Sequence, residues 1–124
     1  MAEQDQVKAI AQAVLDHLRS GAENDEPLWA AHFDPGFTSV EADGTTHTGI
    51  EQVREKHVWW NTNHTVHGFD VEGPYCGPQG FAMKYVMDVA PKDGSWPRNK
   101  MEEVAVYTVR DGKVVREEFW YHNA

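Results

Sequence analysis

The fold is decided near the end of the chain, by the stretch EEVAVYTVRDGKVVREEFWYH at residues 102–122. Apolar and polar residues alternate on both sides of Asp111-Gly112, and an Asp-Gly pair between alternating segments is typical of a two-residue hairpin turn. We therefore predict two antiparallel strands, at about residues 100–110 and 113–122. The turn between them is expected to have positive backbone φ at both Asp111 and Gly112.

This turn also predicts which residues face each other across the hairpin. A ladder without irregularities sets Val109 opposite Val114 and Val106 opposite Glu117. Because side chains alternate along each strand, one face should hold Glu102, Val104, Val106, Thr108, Val115, Glu117, Phe119 and Tyr121. The reverse face should hold Glu103, Ala105, Tyr107, Val114, Arg116, Glu118 and Trp120.

Three helices are predicted before these strands. Apolar residues recur at three- and four-residue steps over residues 3–20, as on a helix that lies on a core. A second helix is expected at about residues 25–33, where Asp25 is able to cap the first turn. The capping-box pattern Thr48-Gly-Ile-Glu51 opens a third helix. Its core face is expected to hold Ile50, Val53, His57 and Trp60.

Further strands are expected at about residues 37–42, 62–72 and 81–90, punctuated by glycine and proline pairs. The chain of 124 residues fits one domain, residues 1–124, with enough buried surface for one core and one internal pocket.

Helices followed by a long antiparallel meander and this closing hairpin resemble the SnoaL-like branch of the nuclear transport factor 2-like superfamily. The stretch LWAAHFDPGFTSVEADGTTHTGIEQV at residues 28–53 supports the likeness. The resemblance implies an α+β fold, a cone-shaped barrel in which a bent, mostly antiparallel sheet wraps around the N-terminal helices. It also implies a hydrophobic pocket at the open end, whereas the chemistry differs among members and does not follow from the fold.

A comparison with ketosteroid isomerase, another member of that superfamily, shows which of that enzyme's catalytic residues have a counterpart in this sequence. The resemblance places Glu41 at the position of that enzyme's acidic base. The two hydrogen-bond donors of its oxyanion hole correspond to Val14 and Val104, and neither side chain is able to donate. We therefore expect no steroid isomerisation by that mechanism.

Acidic residues are the main catalytic candidates. Glu117 and Glu102 lie on the hairpin face that the resemblance turns toward the pocket. Burial among apolar neighbours raises the pKa of a carboxyl group and makes it a proton acceptor near neutral pH. The alternative is that either glutamate lies at the rim, in water or paired with an arginine. Glu41 is a third candidate, although exposed acids are common near turns.

Histidines offer a second kind of proton transfer. His64 and His67 lie near the start of a strand, where a three-residue step points the two rings to opposite faces, so at most one enters the pocket. A lone histidine is more often structural. The spacing of histidines and cysteines does not predict a metal site. The resemblance to SnoaL-like cyclases implies that an acidic residue removes a proton from carbon without a metal or cofactor.

Aromatic and apolar residues are expected to contact a ligand, with core packing as the alternative role. Tyr85 is the candidate that also offers a hydroxyl group. The other candidates are Trp59, Trp60, Phe69, Met83, Met87, Val104, Val106, Phe119 and Tyr121.

Composition argues against several partners. A formal net charge of −9 and a pI near 5.1 disfavour nucleic acids and anionic membranes, which are bound by dense Lys and Arg surfaces. Short apolar stretches and a polar start predict a soluble, unexported protein. The single Cys76 agrees with a reducing cytoplasm.

The leading hypothesis is a cofactor-independent lyase, isomerase or cyclase that acts on a small, hydrophobic, carbonyl-bearing molecule. A ligand carrier or sensor, or a protein-interaction module, are the alternatives. A buried carboxyl facing the pocket favours the enzyme, and a wholly apolar pocket favours the carrier. A homodimer is also expected, because the reverse hairpin face, with Ala105, Tyr107, Val114 and Trp120 amid Arg116 and Glu118, is too apolar for full solvation.

Overall fold

A computed structural model describes residues 2–121 and has an α+β architecture. The helices are α1 (Ala2–Arg19), α2 (Glu26–His32) and α3 (Ile50–Asn63), and the strands are β1 (Phe33–Val40), β2 (Thr46–Thr48), β3 (His64–Cys76), β4 (Gly80–Pro91), β5 (Asn99–Arg110) and β6 (Lys113–Tyr121). The strands form one six-stranded sheet in the order β2-β1-β6-β5-β4-β3. All neighbouring strands are antiparallel except β1 and β6, which are parallel.

The sheet is bent around the helices but does not close into a barrel, because β2 and β3 remain as edges. The expected α+β fold with a mostly antiparallel sheet is therefore confirmed, and the sheet does not close. No helix within residues 2–121 is long and apolar enough to cross a membrane.

The core lies between α1 and the inner face of the sheet. Helix α1 contacts β3 and β4 through its apolar stripe, in which Val7, Val14 and Leu15 are at most 4% exposed. Phe37 of β1 and Met83 of β4 are fully buried in the same cluster. The three- and four-residue periodicity of α1 therefore identified the face that packs against the sheet.

The closing hairpin has the predicted turn, with φ of 52° at Asp111 and 76° at Gly112. The predicted pair Val109 and Val114 is also present. Beyond that pair the predicted register is wrong, because Thr108 pairs with Arg116 and Val115 is left over as a β-bulge.

The bulge exchanges the two faces of β5. Glu117 lies opposite Tyr107, Phe119 opposite Ala105, and Tyr121 opposite Glu103. The inner face therefore holds Glu103, Ala105 and Tyr107, while Glu102, Val104 and Val106 point outward. Two inward residues three positions apart, Val114 and Glu117, are compatible with one strand only if an extra residue lies between them. Ala105, Tyr107 and Val114 are buried inside and do not belong to the expected dimer surface.

Smaller differences concern the first half of the chain. Helix α3 begins after Gly49, whose φ is 88°, and no side chain caps it. Thr48 is therefore not the N-cap that the sequence predicted; its backbone N–H donates to Gln52 Oε1 at 2.8 Å. Strand β1 begins earlier than expected, and the three-residue β2 was not predicted.

Candidate functional site

A cavity of about 1150 Å³ lies between the helices and the inner face of the sheet. All three helices contribute to its wall, together with β4, β5, β6 and the segment that follows β1. Its aromatic lining consists of Trp29, Phe33, Trp59, Trp60, Phe69, Tyr85, Tyr107, Phe119 and Tyr121.

Glu117 is the most enclosed carboxyl group in this wall, with 5% of its surface exposed. The parallel pairing of β1 and β6 sets Ser39 beside it, and Ser39 Oγ donates to Glu117 Oε2 at 2.8 Å. Lys56 Nζ in turn donates to Ser39 Oγ at 2.8 Å and lies 2.7 Å from Glu41 Oε1. The four side chains form one connected polar group at the cavity wall.

Burial raises the pKa of Glu117 from 4.5 to about 7, and Lys56 and the Ser39 hydrogen bond oppose that rise. Desolvation disfavours the charged carboxylate more than the nearby ammonium favours it. The pKa of Glu117 therefore lies near neutral pH, which suits a group that accepts a proton and returns it.

Glu103 is a second buried carboxyl group, 8% exposed, on β5. It lies opposite Tyr85 of β4 and Tyr121 of β6. Burial, followed by the negative charge of Glu41, raises its pKa to about 7. Within residues 2–121 its side chain has neither a hydrogen-bond donor nor an ion-pair partner.

The hydroxyl groups of Tyr85 and Tyr107 are hydrogen-bonded to each other at the cavity wall. Burial raises the pKa of both phenols, so each keeps its proton at neutral pH. Each neutral phenol has one proton to donate. One tyrosine donates to the other, and the proton of the second remains available to an oxygen of a ligand.

Asp25 connects two histidines at another part of the wall. Its Oδ1 lies 2.9 Å from His17 Nε2, and its Oδ2 lies 3.7 Å from His57 Nδ1. Burial lowers the pKa of His57, and the nearby Asp25 only partly offsets this effect. Asp25 immediately precedes α2, but its carboxylate does not cap that helix.

Several residues predicted from the sequence meet in this cavity. Glu117 and Glu41 are joined through Ser39 and Lys56. The wall also contains many of the predicted ligand-facing side chains, namely Trp59, Trp60, Phe69, Tyr85, Met87, Phe119 and Tyr121.

Other predicted residues lie elsewhere. Glu102 is on the outer face of the sheet, where its Oε1 is 3.2 Å from Lys84 Nζ. Val104 and Val106 lie on the same outer face because of the bulge. Met83 is fully buried in the core and is not part of the cavity wall.

Neither of the predicted catalytic histidines lines the cavity. His64 follows the last turn of α3, its ring stacks on Trp60 with centroids 3.8 Å apart, and its Nδ1 lies 2.9 Å from the Trp60 carbonyl oxygen. His67 is exposed on the edge strand β3. His57 of α3 does line the cavity, although the sequence predicted it only as a core-facing residue of that helix.

The sequence interpretation missed Lys56, Glu103 and Tyr107 as site residues. Lys56 follows Val53 by three positions on α3, so the helical period was a signal for it. Glu103 and Tyr107 share a face with Glu117 because of the bulge, whereas the regular ladder predicted from the sequence placed Glu102 and Val106 there. Within residues 2–121, no three His, Cys, Asp or Glu side chains are arranged to hold a metal ion.

The fold and the cavity together define a class of protein: a small α+β domain in which a bent, mostly antiparallel sheet and N-terminal helices surround an acid-containing pocket. The chain belongs to the SnoaL-like domain family, whose model matches residues 25–121. The family model identifies the domain and does not specify a reaction.

Solved structures agree with that assignment. A protein from Mesorhizobium loti described as a SnoaL-like polyketide cyclase is 35% identical, with a TM-score of 0.84 over 93% of this chain and 98% of that chain. Another from Jannaschia sp. is 17% identical, with a TM-score of 0.75 over 98% of this chain and 88% of that chain.

A protein from Catenulispora acidiphila with a ketosteroid isomerase-like fold was solved in complex with trimethylamine. It is 20% identical, with a TM-score of 0.67 over 81% of this chain and 76% of that chain. At such identities the Jannaschia and Catenulispora proteins share the fold alone. None of the curated proteins matches this sequence.

Proposed function

We propose that this protein is a cofactor-independent acid–base enzyme of the isomerase or cyclase kind, which acts on a small, hydrophobic, carbonyl-bearing molecule. The observation that carries the proposal is Glu117, a buried carboxyl group at the wall of an aromatic cavity, with a pKa of about 7. A carboxyl group with such a pKa accepts a proton near neutral pH and returns it readily.

In the proposed step, ionised Glu117 removes a proton from the carbon next to the carbonyl group of the substrate. The electron pair of that C–H bond forms the C=C bond of an enolate, and the C=O pair moves to oxygen. The free hydroxyl proton of the Tyr85 and Tyr107 pair donates a hydrogen bond to that oxygen. In a cyclase, the enolate carbon attacks a second carbonyl carbon of the same molecule, the pi pair of that C=O bond moves to its oxygen, and Glu117 returns the proton to this alkoxide. In an isomerase, the substrate has a C=C bond next to the deprotonated carbon, that pi pair shifts by one bond as the C=O bond re-forms, and the far carbon takes the proton from Glu117.

Ser39 and Lys56 act on Glu117 as positioning groups. The Ser39 hydroxyl donates a hydrogen bond to Glu117 Oε2, and no side chain among residues 2–121 donates to Oε1. The positive charge of Lys56 and the Ser39 hydrogen bond lower the pKa of Glu117 and so limit the rise that burial causes. A fixed carboxylate with one oxygen free is suited to accept a proton from a bound substrate.

The alternative function, a ligand carrier or sensor, uses the same cavity without a reaction. A carrier for hydrophobic molecules gains nothing from carboxyl groups that are costly to bury. Two such groups, Glu117 and Glu103, line this cavity. Their burial favours the enzyme.

Exchange of carbon-bound hydrogen tests this function without knowledge of the natural substrate. The probe is 2-tetralone in D₂O, with NMR detection of its binding and of deuterium at the carbons next to the carbonyl group. We expect exchange above the buffer rate that increases with pH up to about 7 and then levels off, with loss in Glu117→Gln and retention in the matched outer-face variant Glu102→Gln. Bound probe that exchanges equally fast with wild type and Glu117→Gln would contradict the proposal.

A further inference from the structure

The ionisable groups of the cavity wall are predominantly acidic. Within the described part of the chain, the wall has a single lysine, Lys56, no arginine, and the two histidines His47 and His57. Its carboxyl groups are Asp25, Glu41, Asp43, Glu55, Glu103 and Glu117. The cavity therefore favours positive over negative groups in a ligand.

Lys56 demonstrates how this wall holds an ammonium group. Its Nζ lies 2.7 Å from a Glu41 carboxylate oxygen, donates to Ser39 Oγ at 2.8 Å, and sits 5.1 Å from the ring centroid of Phe119. A carboxylate combined with an aromatic face is the set of groups by which proteins recognise organic cations.

Glu103 has the same kinds of neighbour, but within the described residues no cation lies at ion-pair distance from it. It is 8% exposed, lines the cavity, and lies between Tyr85 and Tyr121 on the adjacent strands. Among residues 2–121, no Lys, Arg or His lies within ion-pair distance of it. A buried carboxylate without a partner is unfavourable, and a positively charged ligand group would supply that partner.

We propose that Glu103, with the aromatic rings of Tyr85 and Tyr121, forms a subsite for a small organic cation, such as a substituted ammonium group. This inference deepens the proposed function, on which it rests for the identity of a substrate: the substrate would carry a cationic nitrogen as well as a carbonyl group. Binding at the subsite itself needs no turnover, so it is measurable independently.

Binding should depend on pH because the carboxyl group must be ionised. The groups that face Glu103 are Glu41 after β1, Lys56 of α3, Glu117 of β6, and the two tyrosines. With a pKa of about 7 for Glu103, its ionised fraction increases about tenfold from pH 6 to pH 8. A permanently charged ligand should therefore bind about tenfold more tightly at pH 8 than at pH 6.

The test compares two compounds of the same shape and different charge. Choline carries a quaternary ammonium group, and 3,3-dimethylbutan-1-ol has an uncharged tert-butyl group in its place. Their dissociation constants with the whole wild-type chain are measured by NMR titration at pH 6 and pH 8. We expect choline to bind at least about tenfold more tightly than the alcohol at pH 8, and the affinity of the alcohol to be nearly independent of pH.

Variants assign the effect to one residue. Glu103→Gln should abolish the preference for choline and its pH dependence, whereas the outer-face neighbour variant Glu102→Gln should keep both. Equal affinity of wild type for the two compounds would overturn the inference, and this result does not depend on whether Glu103→Gln folds. A preference for choline that survives in folded Glu103→Gln would also overturn it. Glu117→Gln separates the two proposals, because it should lose deuterium exchange while it retains choline binding.

Discussion

Replacement of Glu117 by glutamine should make the stability of the protein less dependent on pH while it removes activity. The carboxyl group has its ordinary pKa of 4.5 in the unfolded chain and about 7 in the folded protein. Below pH 4.5 it is protonated in both states and has no effect on the pH dependence. As the pH rises from 4.5 to about 7, the unfolded chain ionises first, so stability is lost progressively over this window.

The magnitude follows from the width of that window. At about 1.4 kcal/mol per pH unit, the wild type loses roughly 3 kcal/mol of unfolding free energy between acidic and slightly alkaline pH through this one group. Glutamine keeps the shape and the hydrogen bond from Ser39 but does not ionise. The difference in unfolding free energy between the variant and wild type should therefore grow by roughly 3 kcal/mol from pH 4 to pH 8.

Urea unfolding followed by tryptophan fluorescence at several pH values measures this difference. The free-energy cost of placing an amide in the site does not change with pH. It therefore cancels when the variant-minus-wild-type difference at one pH is subtracted from that at another. Glu102→Gln is the matched control, because Glu102 lies on the outer face beside Lys84, and its difference from wild type should stay nearly constant with pH. A constant difference for Glu117→Gln as well would refute the argument that burial dominates the ionisation of Glu117.

Three further perturbations address other parts of the molecule. Lys56→Met should shift the pH profile of deuterium exchange to higher pH, because the ammonium lowers the pKa of Glu117; an unshifted profile would remove Lys56 from the site. Gly112→Val should lower the unfolding free energy by about 1–3 kcal/mol, as measured in urea, because valine disfavours the φ of 76° in the turn, and an unchanged midpoint would count against this. The expected homodimer now rests on the outer face with Val104, Val106 and the 54% exposed Trp120, so light scattering should give twice the 14.1 kDa chain mass for wild type and less for Trp120→Lys. A wild-type chain that stays at the monomer mass at micromolar concentration would contradict that expectation.

Much of the fold was predictable because its signals are local. The Asp111-Gly112 turn and the helical period of α1 depend on a few neighbouring residues, and both appear where the sequence puts them. The register of the hairpin depends on a longer-range condition: Val114 and Glu117, three positions apart on β6, must both face the buried interior. That condition requires the bulge, and two adjacent valines give no indication in the sequence of which one is extra.

The site was also predictable only in part, where it depends on residues within one strand. Glu117, Phe119 and Tyr121 were assigned to the pocket side, and they line the cavity because the bulge precedes all three. Their partners on β5 were assigned one position out of register, so Glu102 was proposed in place of Glu103. The polar group of Ser39, Lys56 and Glu117 joins residues up to 78 positions apart, a contact that only the tertiary fold creates.

Val115 has no partner of its own in the β5–β6 ladder, in the strand whose later residues Glu117, Phe119 and Tyr121 line the cavity. A chain that lacked this residue would pair Val114 and Arg116 with the same partners as before, since the bulge absorbs one position and the ladder would become regular. Bulges increase the local twist and bend of a strand, so this shorter chain would keep every residue of the wall and flatten the sheet behind it. Cavity volume and cavity chemistry should thus be separately adjustable here: removal of Val115 would change the first, and substitution of the inward residues of β6 would change the second.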